Sequence, residues 1–135
     1  MQKIAFSPYF KEEAWGFSLA KPVFLYIIRI MNDQDRKIAE TLKRRLSEVM
    51  NLVDFKVFGS RARGDADEDS DLDVFIEIER KDRDIEKKIS HIAWEVGFEN
   101  FILICPLVFT RDELENSPLR ASPIVECINE EGVRV

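Results

Sequence analysis

Two short β-prone segments joined by a strongly charged loop constrain this chain more than any other feature. The first segment, Asp54–Phe58, ends at Gly59. The second, Leu72–Ile78, alternates apolar and polar residues, as a strand with one buried face does. The loop between them carries arginines first and then a run of acidic residues. The sequence therefore predicts two strands linked by a loop that holds both signs of charge close to the strand ends.

The segments around this unit indicate helices and one further strand. In two of them apolar residues recur every three or four positions, which is the spacing of an amphipathic helix. Gly97 stands where helices commonly end, and Pro106 indicates an edge strand or a bulge because proline cannot donate to a sheet. The predicted elements are a helix over Asp35–Val53, a helix over Asp84–Val96, a strand over Phe101–Phe109, a polar turn, and a short helix over Pro123–Glu130 that ends at Gly132. This order predicts an α+β fold, α/β-like in character, with a small mixed β-sheet backed by helices.

Composition places the chain among ordinary globular domains and predicts a cytoplasmic protein. Its 135 residues are 45% hydrophobic and 34% charged, which allows one core without disulfide or metal support. We expect Cys105 and Cys127, which lie in apolar stretches, to be buried and unpaired thiols. The net charge of −6 argues against nucleic acid as the main partner and against binding to anionic lipid. The apolar run Pro22–Ile30 contains Arg29 and is too short to span a membrane, which takes about 20 residues.

The first thirty residues fit the predicted domain least well. They contain an aromatic-rich segment and then the apolar run that leads to Met31, without the continuous apolar region that a signal peptide needs. Two interpretations are open: an appended strand, or an extension upstream of a true start at Met31. The predicted organisation is an N-terminal extension over residues 1–30 and one domain over residues 31–135.

Two familiar loop motifs are excluded in the charged loop. Gly59 and Gly64 have the spacing of a P-loop, but Asp65 stands where the motif requires lysine. The acidic residues that follow match the first ligands of an EF-hand, but Ser70 and Ile76 occupy the positions of its glycine and closing glutamate. The loop must therefore be interpreted by other chemistry.

Asp71 and Asp73 are the carboxylates that we expect to share one site. Because strand side chains alternate, the two project from one face with Cα atoms about 6.5 Å apart, while Leu72 and Val74 turn into the core. Carboxylates this close repel each other unless a cation lies between them. Mg²⁺ prefers oxygen ligands and takes the remainder from water and substrate phosphates. The pair therefore predicts a magnesium ion beside a nucleoside triphosphate.

The beginning of the same loop offers groups that suit a phosphate. Gly59 at a strand end lets the backbone approach a phosphate closely, and Ser60 adds a hydroxyl. Arg61 and Arg63 add positive charge. Considered singly, Arg61 is expected to be solvated. Arg63 has two open interpretations, a phosphate ligand or a surface ion pair with an aspartate of the loop such as Asp65.

Gly59-Ser60, followed after ten residues by Asp71-x-Asp73, resembles the signature of a known family. The pattern is similar to the G-S-x10-D-x-D motif of minimal nucleotidyltransferases, small members of the DNA polymerase β nucleotidyltransferase superfamily, and the resemblance covers residues 31–135. It implies that Asp71 and Asp73 are catalytic and ligate Mg²⁺, in a site that could hold two metal ions. It also implies that Gly59 and Ser60 hold the triphosphate with assistance from Arg63. The implied reaction is transfer of a nucleoside monophosphate, with AMP from ATP expected, and release of pyrophosphate.

The chain departs from this family at a third acidic residue, which the superfamily usually places on a later strand. The predicted strand Phe101–Phe109 contains no acid. Glu99 and Asp112 only flank it, and Glu77 lies about 13 Å beyond Asp73 along its own strand. Two outcomes are open: the acceptor supplies its own activation, or metal and nucleotide binding persist with weak or absent transfer.

The resemblance also implies a partner. Many stand-alone domains of this family are antitoxins paired with a small helical HEPN-type toxin, and some transfer AMP to a toxin tyrosine. A HEPN-type toxin is therefore the expected acceptor and partner. Two other interpretations stay open, namely a catalytically silent protein that neutralises its partner by contact, and a nucleotide sensor. A homodimer is also left open.

Overall fold

A computed structural model describes residues 30–135, in which helices and strands alternate as far as the third strand, after which three short helical segments precede the last strand. The helices are α1 (Asp33–Ser47), α2 (Ser60–Arg63), α3 (Arg83–Asn100), α4 (Arg111–Asn116) and α5 (Pro123–Glu131), with a 3₁₀ helix over Pro118–Ala121. The strands are β1 (Leu52–Phe58), β2 (Leu72–Ile78), β3 (Ile104–Thr110) and β4 (Val133–Arg134). None of these described helices is long and apolar enough to cross a membrane. Residues 31–135 form one compact unit, whereas the predicted N-terminal extension, apart from its last residue, lies outside the described residues and stays a prediction.

The strands form one mixed sheet in the spatial order β3-β2-β1-β4. β1 runs antiparallel to β2 and to β4, whereas β2 and β3 run parallel and are connected through α3. In the described part of the chain β3 has a neighbouring strand on one side only, so Pro106 lies on an edge strand, as predicted. The predicted small mixed sheet backed by helices is confirmed.

One face of the sheet is covered by the long helices α1 and α3. Leu72, Val74 and Ile76 of β2 are fully buried, and they share a core cluster with Leu42 of α1 and Val96 of α3. The alternate residues of β2 therefore point away from this core, toward the opposite face.

That opposite face carries a smaller aromatic core. Phe75 of β2 lies against Phe109 of β3 with ring centroids 5.9 Å apart, and Ile128 of α5 belongs to the same cluster. Beyond this cluster, where β2 begins, Asp71 is exposed and Asp73 is half-buried. The aromatic core thus fills the middle of the face and leaves polar residues at one end of it.

Helix α1 ends earlier than the predicted helix Asp35–Val53. It spans Asp33–Ser47, and Val49, which continues the apolar spacing, is 51% exposed. From Leu52 onward the backbone pairs with β2, beginning opposite Ile78. The predicted helix end was wrong, and β1 begins before the predicted strand, because strand pairing overrides the helical spacing of the last apolar residues.

Gly97 lies inside α3 and does not end it, contrary to the prediction. A Cβ at Gly97 would lie 2.5 Å from the backbone oxygen of Ile102, whose own N–H donates to the Gly97 carbonyl at 3.0 Å. The glycine therefore allows a close return of the chain, while the helix continues to Asn100 and is capped by Phe101 in a left-handed conformation with φ 55°. Because this turn uses residues 101–103, β3 begins at Ile104 and not at the predicted position.

The predicted polar turn contains two short helices. Helix α4 begins with a capping box, in which the Glu113 N–H donates to Thr110 Oγ1 at 3.1 Å and the Thr110 N–H donates to Glu113 Oε2 at 2.8 Å. The 3₁₀ helix follows it. The predicted C-terminal helix is confirmed as α5, which is followed by Gly132. The last strand, β4, was not predicted, because two residues are too few to show a pattern.

Cys105 and Cys127 are free thiols, as predicted, but both are partly exposed and not buried. Cys105 lies on the edge strand β3, on the face that α1 and α3 do not cover. Cys127 precedes the buried Ile128 on α5 and therefore points away from the aromatic core. An apolar stretch in the sequence does not show which of its residues faces outward, and the burial prediction was wrong for this reason.

Candidate active site

Asp71 and Asp73 lie where β2 begins, beside the end of β1. Asp73 is paired with Phe58 on β1 and with Cys105 on β3. The Cys105 thiol lies 3.5 Å from Oδ2 of Asp71. Because paired residues on neighbouring strands share a face, both carboxylates lie on the side opposite the buried Leu72. The predicted common face of the two carboxylates is confirmed.

The protein only partly balances the negative charge of these carboxylates. Burial raises the pKa of Asp73, and the charge of Asp71 raises it further, whereas Arg63 lowers it. The ionised form of Asp73 is therefore less favourable in the folded chain than in a fully solvated side chain. A bound cation would favour the ionised form. Two hard oxygen donors on one accessible face fit Mg²⁺ by their chemistry.

Gly59 brings the backbone close to Asp73. Its φ of +79° is in the left-handed region, and a Cβ at this position would lie 2.5 Å from Oδ2 of Asp73. The next residue, Ser60, begins α2 and is half-buried. The structure therefore brings Gly59 and Ser60 together with Asp73, although they are separated by the whole charged loop.

Arg63 lies on the same side and is held by two acids. Its Nε lies 3.3 Å from Oδ2 of Asp65, and its Nη1 lies 2.7 Å from Oε1 of Glu131. The hydrogen bond with Asp65 raises the pKa of the guanidinium, and the charge of Glu131 adds to the rise. Of the two interpretations left open for Arg63, the structure shows the ion pair with an aspartate of the loop. Glu131 was not predicted, since no local pattern connects the end of α5 with this loop.

The side chain of Arg61 is largely withdrawn from water, and the expectation that it is solvated was wrong. Its Nη1 lies 2.9 Å from Oδ1 of Asp35, and the two side chains are 11% and 3% exposed. Its Nε donates to the Ser70 carbonyl at 2.8 Å, and its Nη2 donates to the carbonyls of Asp67 and Glu68. Arg61 thus fixes the loop that leads into β2. The sequence did contain a sign of this ion pair. Asp35 has the same three- to four-residue spacing as the apolar residues of α1, so it lies on the buried face of that helix and needs a buried partner.

The strand beside β2 presents no carboxylate at the site. β3 places Cys105 next to Asp73 and Leu107 next to Phe75. Burial raises the pKa of the Cys105 thiol and Asp71 adds to the rise, so this sulfur is neutral. Within residues 30–135 no group of three or more His, Cys, Asp or Glu side chains is placed to hold a metal ion. The strand β3 therefore adds no carboxylate beside Asp71 and Asp73.

The three acids considered as substitutes lie elsewhere. Glu77, toward the other end of β2, lies 3.7 Å from Arg111. Glu99 is paired with Arg45 at 2.8 Å, and Asp112 is in the first turn of α4. The structure therefore agrees with the sequence analysis that none of the three replaces the missing third acidic residue.

His91, the one histidine of the sequence, is a surface residue. Its side chain is 71% exposed, and its Nε2 lies 3.0 Å from Oε2 of Glu95 on the next turn of α3. It takes no part in the cluster around Asp73.

Comparison with known proteins identifies the family. No curated protein matches the chain at a significant level. A family model described as a nucleotidyltransferase domain matches residues 35–128, which is more than half of the chain and includes Gly59, Asp71 and Asp73. The small mixed sheet backed by helices is consistent with a minimal domain of this kind. The chain therefore belongs to the nucleotidyltransferase domain family, whose reaction is the transfer of a nucleoside monophosphate.

Proposed function

We propose that this protein is a Mg²⁺-dependent enzyme that transfers a nucleoside monophosphate, with ATP as the expected donor, to an acceptor protein. The observation that carries this function is the gathering of Asp71, Asp73, Gly59 and Arg63 at one end of the sheet. One side of the cluster offers carboxylate oxygens, and the other offers a backbone amide and a guanidinium. A metal-bound triphosphate needs both.

Asp71 and Asp73 would hold Mg²⁺. The raised pKa of Asp73, caused by burial and then by Asp71, supports this role because a cation would favour the ionised form. When bound, the ion would neutralise phosphate oxygens and make the attacked phosphorus more electrophilic.

Gly59, Ser60 and Arg63 would hold the triphosphate. Because Gly59 lacks a Cβ, its backbone lies close enough to Asp73 for one ligand to contact both. The Arg63 side chain is 45% exposed and therefore accessible to a ligand. Arg61 would act only by fixing the loop, since its guanidinium is occupied by Asp35 and by loop carbonyls.

The acceptor that we propose is a tyrosine of a HEPN-type toxin, so that the protein would act as an antitoxin. The toxin partner is inferred from the resemblance to minimal nucleotidyltransferases. A chemical reason favours tyrosine: β3 offers no carboxylate to take the acceptor's proton, and a phenol ionises at about pH 10, more readily than an aliphatic hydroxyl. A cytoplasmic location fits this function and the two free thiols.

The test is transfer of label from nucleoside triphosphates. The purified protein is incubated with Mg²⁺ and ATP, GTP, CTP or UTP labelled at the α-phosphate, alone and with the product of the neighbouring gene. We expect label on the partner, pyrophosphate in solution, and no label from γ-labelled ATP. Asp71→Asn and Asp73→Asn should each reduce transfer by more than about 100-fold, since even outer-shell partners of metal ligands are worth about 10- to 100-fold. Asp69→Asn, an exposed acid of the same loop, is the matched control and should retain transfer.

A second candidate function is neutralisation of the partner by contact, without transfer. The neutral Cys105 beside Asp73, in place of an acid, favours it. A variant with both Asp71→Asn and Asp73→Asn separates the two functions. An enzyme would lose protection against the partner while still forming the complex, whereas a contact inhibitor would keep both.

A further inference from the structure

Glu131 places a carboxylate oxygen where the proposed function requires an anion. Its Oε1 accepts a hydrogen bond from the Gly59 N–H at 3.2 Å and another from Arg63 Nη1 at 2.7 Å. A backbone N–H and a guanidinium, from the two ends of the short helix α2, thus converge on one oxygen atom, as they would on a phosphate oxygen. We infer that Glu131 is an affinity-determining residue that occupies the triphosphate position in the free protein and must leave when nucleotide binds. This inference rests on the proposed nucleotide site.

The end of α5 is held in place, so the glutamate is presented to the site by the fold. The Gly132 N–H donates to the Ile128 carbonyl at 2.9 Å. Immediately afterwards β4 pairs with β1, with Val133 opposite Val57. The backbone beside Glu131 is therefore fixed on both sides, and displacement of its carboxylate requires a side-chain rotation.

Gly132 makes this arrangement possible. A Cβ at Gly132 would contact the Ile128 carbonyl oxygen and would lie 2.8 Å from Cδ of Lys56. The turn from α5 into β4 is thus tight, and Lys43 fixes the chain end by donating to the Val135 carbonyl at 2.7 Å.

The contact is accessible enough to exchange with a ligand. The side chains of Glu131 and Arg63 are 26% and 45% exposed, so the ion pair meets water. A triphosphate would remove both donors from Glu131 and would bring its own negative charge next to that carboxylate. A ligand that arrives with Mg²⁺ between Asp71 and Asp73 offsets this repulsion, whereas a free anion does not. Glu131 would therefore weaken binding of all phosphates and would favour those that carry the metal.

Binding of ATP with Mg²⁺, measured by isothermal titration calorimetry, tests the role of Glu131. The wild type is compared with Glu131→Gln, which removes the charge, and with Glu130→Gln, which makes the same change at an exposed neighbour. We expect Glu131→Gln to bind about two- to fivefold more tightly than the other two, the upper part of the range for loss of a partly exposed charge contact. Thermal melting checks that all three proteins are folded.

The other outcomes are distinct. Equal or weaker binding by Glu131→Gln, with binding retained by the wild type, would overturn the inference and leave the proposed function standing. Weaker binding would mean that Glu131 holds Arg63 in place for the nucleotide, and equal binding would mean that Glu131 does not influence it. Failure of all three folded proteins to bind ATP would contradict the proposed nucleotide site and the inference with it. The amide resonance of Gly59 gives an independent check without nucleotide, because Glu131→Gln should move it and Glu130→Gln should not.

Discussion

At the scale of single residues, two arginines of one short helix have different roles. Arg61 lies in a buried ion pair with Asp35 and holds three loop carbonyls. Arg63, two positions later, is exposed and contacts only acids near the site. Breaking a buried pair leaves an uncompensated charge, whereas a surface pair contributes little to stability. We therefore expect Arg61 to contribute to stability, whereas Arg63 is free of that role and is the ligand-binding arginine of the proposed function.

The same substitution should therefore affect stability at position 61 and ATP binding at position 63. Arg61→Met should lower the free energy of unfolding by about 3 kcal/mol, the low end for losing one partner of a buried pair. Arg63→Met should lower it by less than about 1 kcal/mol while weakening ATP binding. Urea denaturation measures the first effect, and calorimetry measures the second. Equal losses of stability in the two variants would contradict the assignment.

The half-buried carboxylate of Asp73 should make stability depend on pH. Burial, followed by the charge of Asp71, raises its pKa in the folded state above the unfolded value, so the folded chain binds this proton more tightly. Its contribution to stability is therefore lost as the pH rises from the unfolded to the folded pKa. Without metal, Asp73→Asn should melt above the wild type at neutral pH, and this gain should shrink as the pH falls through the acidic range. Melting curves at several pH values check this. A variant that is less stable than the wild type at neutral pH would contradict it.

At the scale of elements, regular strands were predictable, but positions set by distant contacts were not. The alternation in Leu72–Ile78 predicted β2 with its observed bounds, because one face of the strand packs on helices. The end of α1 and the two-residue strand β4 depend on pairing with β1 or β2, which no local pattern reports. The same holds for the candidate site: residues close in sequence were predictable, and a residue brought in by a distant contact was not. Asp71, Asp73 and Gly59 lie close in sequence, whereas Glu131 reaches Gly59 from 72 residues away.

Gly97 allows a test at this scale. Alanine has a helix propensity about 1 kcal/mol more favourable than glycine, but its Cβ at this position would lie 2.5 Å from the Ile102 carbonyl oxygen. We expect Gly97→Ala to lower the free energy of unfolding by about 1–3 kcal/mol, as overpacking does. Ser90→Ala, on an exposed turn of the same helix, should leave stability unchanged or slightly raised. Urea denaturation of both variants measures these changes. A stabilised Gly97→Ala would show that the close contact between Gly97 and the Ile102 backbone is not needed.

At the scale of the whole molecule, the two faces of the sheet differ: one carries the main core, and the other carries the candidate site. One face packs on α1 and α3 and forms the larger core. The other face combines a small aromatic core with the polar cluster where β2 begins. Substitutions at Asp71 and Asp73 therefore lie outside the main core, and loss of function without loss of folding is expected for them.

The proposed function requires that Asp71 and Asp73 form a metal-dependent nucleotide site. The most direct test is the affinity for ATP with Mg²⁺ and with a chelator, measured by calorimetry on the wild type and on the Asp71→Asn/Asp73→Asn variant. We predict that Mg²⁺ strengthens ATP binding to the wild type and has no such effect on the variant, which should remain folded. Equal affinity with and without Mg²⁺, or an unchanged metal effect in the variant, would contradict the claim.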